Sequence, residues 1–132
     1  MPTIELNGKS VNVNYDIAAQ LDTEQMLFTL SNGMNKRQFL DIVENIGDTR
    51  EIVSLILQGV NGYNRLENID QRLTYEQVAK MLDDHLKMIG QNAKTVQEVR
   101  EAFELLKTEI KNAAYIGMHL DFLVKKPAAM NP

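Results

Sequence analysis

The chain contains no cysteine, which excludes disulfides, thiolate metal sites and a cysteine nucleophile together. Apolar residues never run on for the roughly 18 positions that a membrane span needs. The opening MPTIELNGKS lacks the charged and apolar regions of a signal peptide. Positive charge is short too: 14 lysines and arginines face 18 aspartates and glutamates, for a net charge of −4. The adjacent Lys125 and Lys126 are too few to form a nucleic-acid patch. Cytoplasm is therefore the expected location, and neither nucleic acid nor a membrane is an expected partner.

What is present is ordinary globular material: 132 residues, 44% hydrophobic and 24% charged, enough for one domain with a sizeable core. Residues 3–15 alternate like strands. Ile4 and Leu6 precede Asn7-Gly8, and Val11 and Val13 follow. Asn-Gly tolerates the positive φ of a type I′ turn, so a two-residue hairpin is expected. That turn sets Ile4 opposite Val11 and Leu6 opposite Lys9, with Glu5, Ser10 and Asn12 on the other face. An isolated hairpin is marginal in water, so its apolar face must rest on helices or extend a sheet. Its free edge is also a candidate for pairing with a partner.

Helix signals fill the remainder. Asp16 caps a first helix carrying Ile17, Leu21, Leu27, Phe28 and Leu30, with a competing cap at Asp22 and a left-handed stop at Gly33. Asn35 caps a short helix that points Phe39, Leu40, Ile42, Val43 and Ile46 inward and stops at Gly47. Asp48 and Glu51 form a capping box for a third helix, apolar on more than one side and so expected to be central. Gly59, Asn61 and Gly62 are its expected end, followed by a polar loop, Tyr63–Arg72. Thr74 and Gln77 open a fourth helix with the stripe Val78, Met81, Leu82, Leu86 and Ile89, stopped by Gly90. Thr95 and Glu98 open the last. Its stripe of Val96, Val99, Phe103, Leu106, Ile110, Ala113, Gly117, Leu120 and Val124 follows a coiled-coil-like spacing. The expected fold is mainly α: a hairpin (3–15), then about five helices in a compact bundle (16–124) and a flexible tail (125–132), all one domain.

Chemistry is sparse. His85 follows Asp83 and Asp84, yet neighbours on a helix point to different faces and cannot converge on one ion. A solvated face is the expectation for His85, and His119 has no triad order around it. The segment NGYNRLENID misses the glycine and the terminal glutamate of a calcium loop. Gly59 and Gly62 match no phosphate-binding pattern. Met81, Met88 and Met118 read as core filling ahead of an adaptable binding surface. No catalytic, cofactor or metal site is expected. The small residues Ala113 and Gly117, with Leu120 and Phe122, are the candidate partner-binding residues, because small side chains let another backbone approach. Self-association through the same helix is the competing use of that seam.

Two stretches carry a family resemblance. IELNGKSVNVNY resembles the N-terminal hairpin of tail assembly chaperones of long-tailed bacteriophages, in the group common among phages of Gram-positive hosts. LILQGVNGYNRLENIDQRLTYEQVAKMLDDHL is similar to their central pattern, an apolar helix, a loop, then Leu-Thr-x-Glu-x-Val. Leu73, Thr74, Glu76, Val78, Met81, Leu82 and Asp83 carry it here. The chain departs where Tyr15-Asp16-Ile17 replaces an aromatic-glycine step, and in a longer loop at 61–72. The resemblance implies a non-enzymatic chaperone that keeps the tape measure protein soluble and recruits tail tube subunits. It further implies the short form of a frameshifted pair, absent from the finished virion. A tail-completion or connector protein and a small bacterial helical adaptor or regulator are the alternatives.

Overall fold

In the computed structural model, which describes residues 2–125, the order is β1 (Thr3–Leu6), β2 (Lys9–Asn12), α1 (Ile17–Leu30), α2 (Phe39–Glu44), α3 (Thr49–Leu66), α4 (Tyr75–Asn92) and α5 (Val96–Gly117). A 3₁₀ turn at Asp121–Leu123 follows. The hairpin forms in the register its turn dictates, Ile4 opposite Val11 and Leu6 opposite Lys9. Asn7 and Gly8 both take positive φ, 53° and 78°, the backbone twist that matches paired strands. Ile4 and Leu6 are buried, with β1 lying on α4 and α5 and β2 on α3. The two-stranded ribbon thus gains the helical support it needs for stability.

Four helix starts follow their caps. Asp16 accepts from the N–H of Ala19, and Asp48, Thr74 and Thr95 each close a reciprocal capping box. The competing cap at Asp22 has no effect, and α1 runs unbroken. The short second helix starts later than expected, at Phe39 instead of after Asn35. Its N–H at Phe39 donates to Glu24 Oε2 of α1 at 2.7 Å, while the N–H of Asn35 donates to Ser31 Oγ. A carboxylate from a neighbouring helix does the capping.

α1 ends as expected before Gly33, which takes a positive φ of 76°, but three other helix ends differ from expectation. α3 continues through Gly59 and Gly62 to Leu66, and α4 passes Gly90 to reach Asn92. α5 stops at Gly117, so Leu120 and Val124 lie beyond it. Left-handed residues close α1, α3 and α5: Asn32, Asn68 and His119, with φ of 57°, 55° and 62°. At each, two N–H groups turn back onto the last turn. His119 donates to Ile116 O and Leu120 to Tyr115 O, at 3.0 and 2.8 Å, the paired bonds of a Schellman motif. Asparagine tolerates this conformation better than most residues. Histidine is a rarer choice, and nothing in the spacing announces it.

Two asparagine side chains then pin the loops that follow. Asn61 Oδ1 accepts from Leu73 N at 3.1 Å. Asn112 brackets Lys125, accepting from its N–H at 2.9 Å and donating to its carbonyl at 2.7 Å. The chain after α5 therefore folds back, with Leu120, Leu123 and Val124 packed on the core. Of the expected tail, Lys125 is held in this way and residues 126–132 lie outside the described ones.

The misread glycines have a different task. Between β2 and α1 the strap Val13–Tyr15 passes between α3 and α5, with Val13 and Tyr15 buried. Its Asn14 N–H donates to Gly59 O at 2.9 Å, and the Tyr15 hydroxyl donates to Leu55 O at 2.7 Å. A Cβ on Gly59 would lie 2.8 Å from the Tyr15 ring, and one on Gly117 2.7 Å from Tyr15 Cβ. A Cβ on Gly62 would collide with the carbonyl of Asn14. A mid-helix glycine costs about 1 kcal/mol against alanine. Here the missing side chains make a slot for a backbone. Around it α3 is buried from Glu51 to Gly62, the centre of one hydrophobic cluster.

Candidate functional site

Among the described residues, His85 and His119 lie in different settings. His85 is 8% exposed, which corrects the solvated face expected of it. Val78, Leu82, His85 and Ile89 are the buried residues of α4, and their spacing of four, three and four puts them on one side of the helix. Nδ1 of His85 accepts from the N–H of Asn7 at 2.8 Å, and burial lowers the pKa of its ring. Asp83 points to solvent, while Asp84 pairs with Lys80 at 2.5 Å. His119 is exposed at the end of α5. Among the described residues no group of three or more His, Asp or Glu is placed to hold a metal ion. None of the helices among them is long and apolar enough to cross a membrane.

The other strong perturbations belong to packing. Burial pushes the Tyr15 phenol well up, consistent with a hydroxyl that serves only to donate to Leu55 O. Burial also raises Glu109, against the opposing effect of its bond from the N–H of Glu5. On α3, Glu51 accepts from the N–H groups of Gly47 and Asp48 and pairs with Arg37. These groups hold turns and helix ends.

The four residues singled out for partner binding end up in different settings. Ala113 is buried at 1% exposure. Gly117 meets the Tyr15 backbone. The close approach that their size permits is made by the chain's own strap. Both line a hollow of about 430 Å³ with Pro2, Asn14, Asp16, Ile116 and His119. Leu120 is half-buried against the core, and only Phe122, 82% exposed, presents a large free surface. The hairpin edge is occupied as well, since Glu109 and His85 take the outward N–H groups of Glu5 and Asn7.

The outer side of α1 is also uncovered. Ile17 and Leu21 are 67% and 56% exposed, and Phe28 is half-exposed further along. Positions 17, 21 and 28 lie on one face of a helix. A groove of about 430 Å³ runs beside them, lined by Leu21, Asp22, Glu24, Gln25, Phe28 and Lys36. α1 buries only Ala19 and Thr23 fully, Ala19 close to Gly62 of α3. Small residues let the first half of α1 lie close to α3 and leave Ile17 and Leu21 outside, while Met26 and Leu27 further along pack on the core. On α3, Ser54 Oγ and Gln58 Oε1 are buried without a hydrogen-bond partner among the described residues. A shorter apolar stretch, Val96 and Val99, is exposed at the start of α5. Its seam enters the core only from Leu106 onward.

Sequence reasoning missed the α1 surface because inward and outward stripes share the same three- and four-residue spacing. The one signal was the pair Ala19 and Thr23, four apart and small, opposite a helix bearing Gly59 and Gly62. No protein-family model matches the chain, and no curated protein or solved structure matches it.

Proposed function

We propose that the protein is a non-enzymatic tail assembly chaperone of a long-tailed bacteriophage. In this reading it works in the host cytoplasm, binds the tape measure protein, recruits tail tube subunits and is absent from the finished virion. The observation that carries the proposal is the apolar outer face of α1, where Ile17 and Leu21 are exposed and Phe28 lies on the same face. Exposed apolar stripes rimmed by polar residues serve as docking sites. A helix laid on this one would contact Ile17, Leu21 and Phe28 as its successive anchors. Full burial of each such side chain is worth about 1.5–3 kcal/mol, before the cost of association is subtracted. Weak, reversible binding of an amphipathic helix fits a chaperone that must later let go. The resemblance of the hairpin and of the Leu73–Asp83 segment to that family supports the same reading.

Co-expression with a candidate tape measure protein tests it. The expected result is a soluble complex in place of an aggregated tape measure protein. A tape measure protein that stays insoluble, or a protein retained in purified particles as a connector would be, contradicts the proposal.

A further inference from the structure

The outer edge of β1 carries backbone donors at Glu5 and Asn7 that β2 does not cover. Glu109 Oε1 of α5 accepts the first at 2.7 Å, and His85 Nδ1 of α4 accepts the second at 2.8 Å. A ring nitrogen accepts only while it bears no proton, so this bond requires neutral His85 with its hydrogen on Nε2. Once the ring is protonated, two N–H groups face each other and the bond is lost.

We propose that His85 is a proton-operated latch that fastens the tip of the hairpin to α4 when neutral and frees it when charged. Ile4 and Leu6 are buried beneath the strand, so release uncovers apolar surface on the hairpin and on the helices under it. Of the charged groups on the packed elements, Glu109 of α5 meets Glu5 of the hairpin, while Lys9 of the hairpin and Asp83 and Lys87 of α4 are exposed to solvent. Asp84 is already engaged with Lys80, and Glu109 with the N–H of Glu5. Protonation of Glu109 weakens its bond from Glu5 but leaves a carbonyl oxygen that still accepts, whereas protonation of His85 Nδ1 abolishes its bond outright.

The direction of the pH effect follows from burial. A free or undocked imidazole takes its proton near about 6.5, and burial holds the docked ring below that. The latch therefore acts fully above about 6.5, weakens as pH falls through that value, and changes no further below the docked ring's own pKa.

His119→Asn suits a left-handed helix cap and leaves His85 as the sole histidine of two. Long-range proton–nitrogen NMR of that variant is expected to show hydrogen on Nε2 at neutral pH and a ring midpoint below about 6.5. The amide signals of Asn7 and Gly8 should move with that same midpoint. In His85→Gln, whose side-chain oxygen accepts but does not titrate, they should stop moving in that range. Hydrogen found on Nδ1, amide signals that ignore the ring, or an unchanged midpoint in His85→Gln would overturn the latch. Should His85→Gln fail to fold, the tautomer and the amide titration of the His119→Asn protein decide the question by themselves.

Discussion

The strap Val13–Tyr15 and the outer face of α1 are neighbours in sequence with opposite surroundings. In the strap, Val13 and Tyr15 are shut between two helices, and its N–H and hydroxyl donors meet α3 carbonyls at 2.9 and 2.7 Å. Two residues later, Ile17 stands 67% exposed, and Leu21 follows one turn on. Comparable side chains are thus used in one place to close the fold and in the other left for something else to cover. The contrast separates what closes the fold from what is left open. Features filled from within account for the fold, and the stripe left unfilled is the place to look for a partner.

Glycine substitutions press hardest on this contrast. Gly62→Ala drives a methyl into the strap's backbone, and overpacking of this kind costs about 3 kcal/mol. Gly117→Ala should behave alike, both read as a lower urea midpoint at constant slope. Tyr15→Phe removes one buried hydrogen bond and should cost about 1 kcal/mol in the same assay. Gly90→Ala has the opposite sign. Nothing lies within 4 Å of its added carbon, so the usual helical preference for alanine should stabilise the protein by about 0.5–1 kcal/mol. At the bottom of the scale, Leu21→Lys should move stability by no more than about 0.5 kcal/mol, yet weaken helix docking strongly. Equal stability losses for Gly62→Ala and Leu21→Lys would erase the distinction between the two regions.

Local chemistry in the sequence marked where elements begin, because caps act over three residues. Asp16, Asp48, Thr74 and Thr95 all start the helices expected of them, and Asn7-Gly8 sets the hairpin register. Ends were harder, since glycine has two uses that look alike in a string of letters. Gly59 and Gly62 read as stops, yet they make room for a strap some 45 positions away in the chain. Only the tertiary structure reveals that separation. Asn68 and His119 close α3 and α5 instead, while α1 ends at Asn32-Gly33 as expected. At Gly117 the backbone that comes close is that of Tyr15 in the same chain. The exposure of α1 was hidden because periodicity marks a face without saying which way it turns.

The most direct measurement is the soluble yield of the tape measure protein when it is co-expressed with this protein or with its Leu21→Lys variant, both folded to the same degree. The account expects rescue by the unaltered protein and its loss with Leu21→Lys, while Phe122→Ser, at the far end of the chain, still rescues. Equal rescue by the unaltered protein and by Leu21→Lys would contradict it.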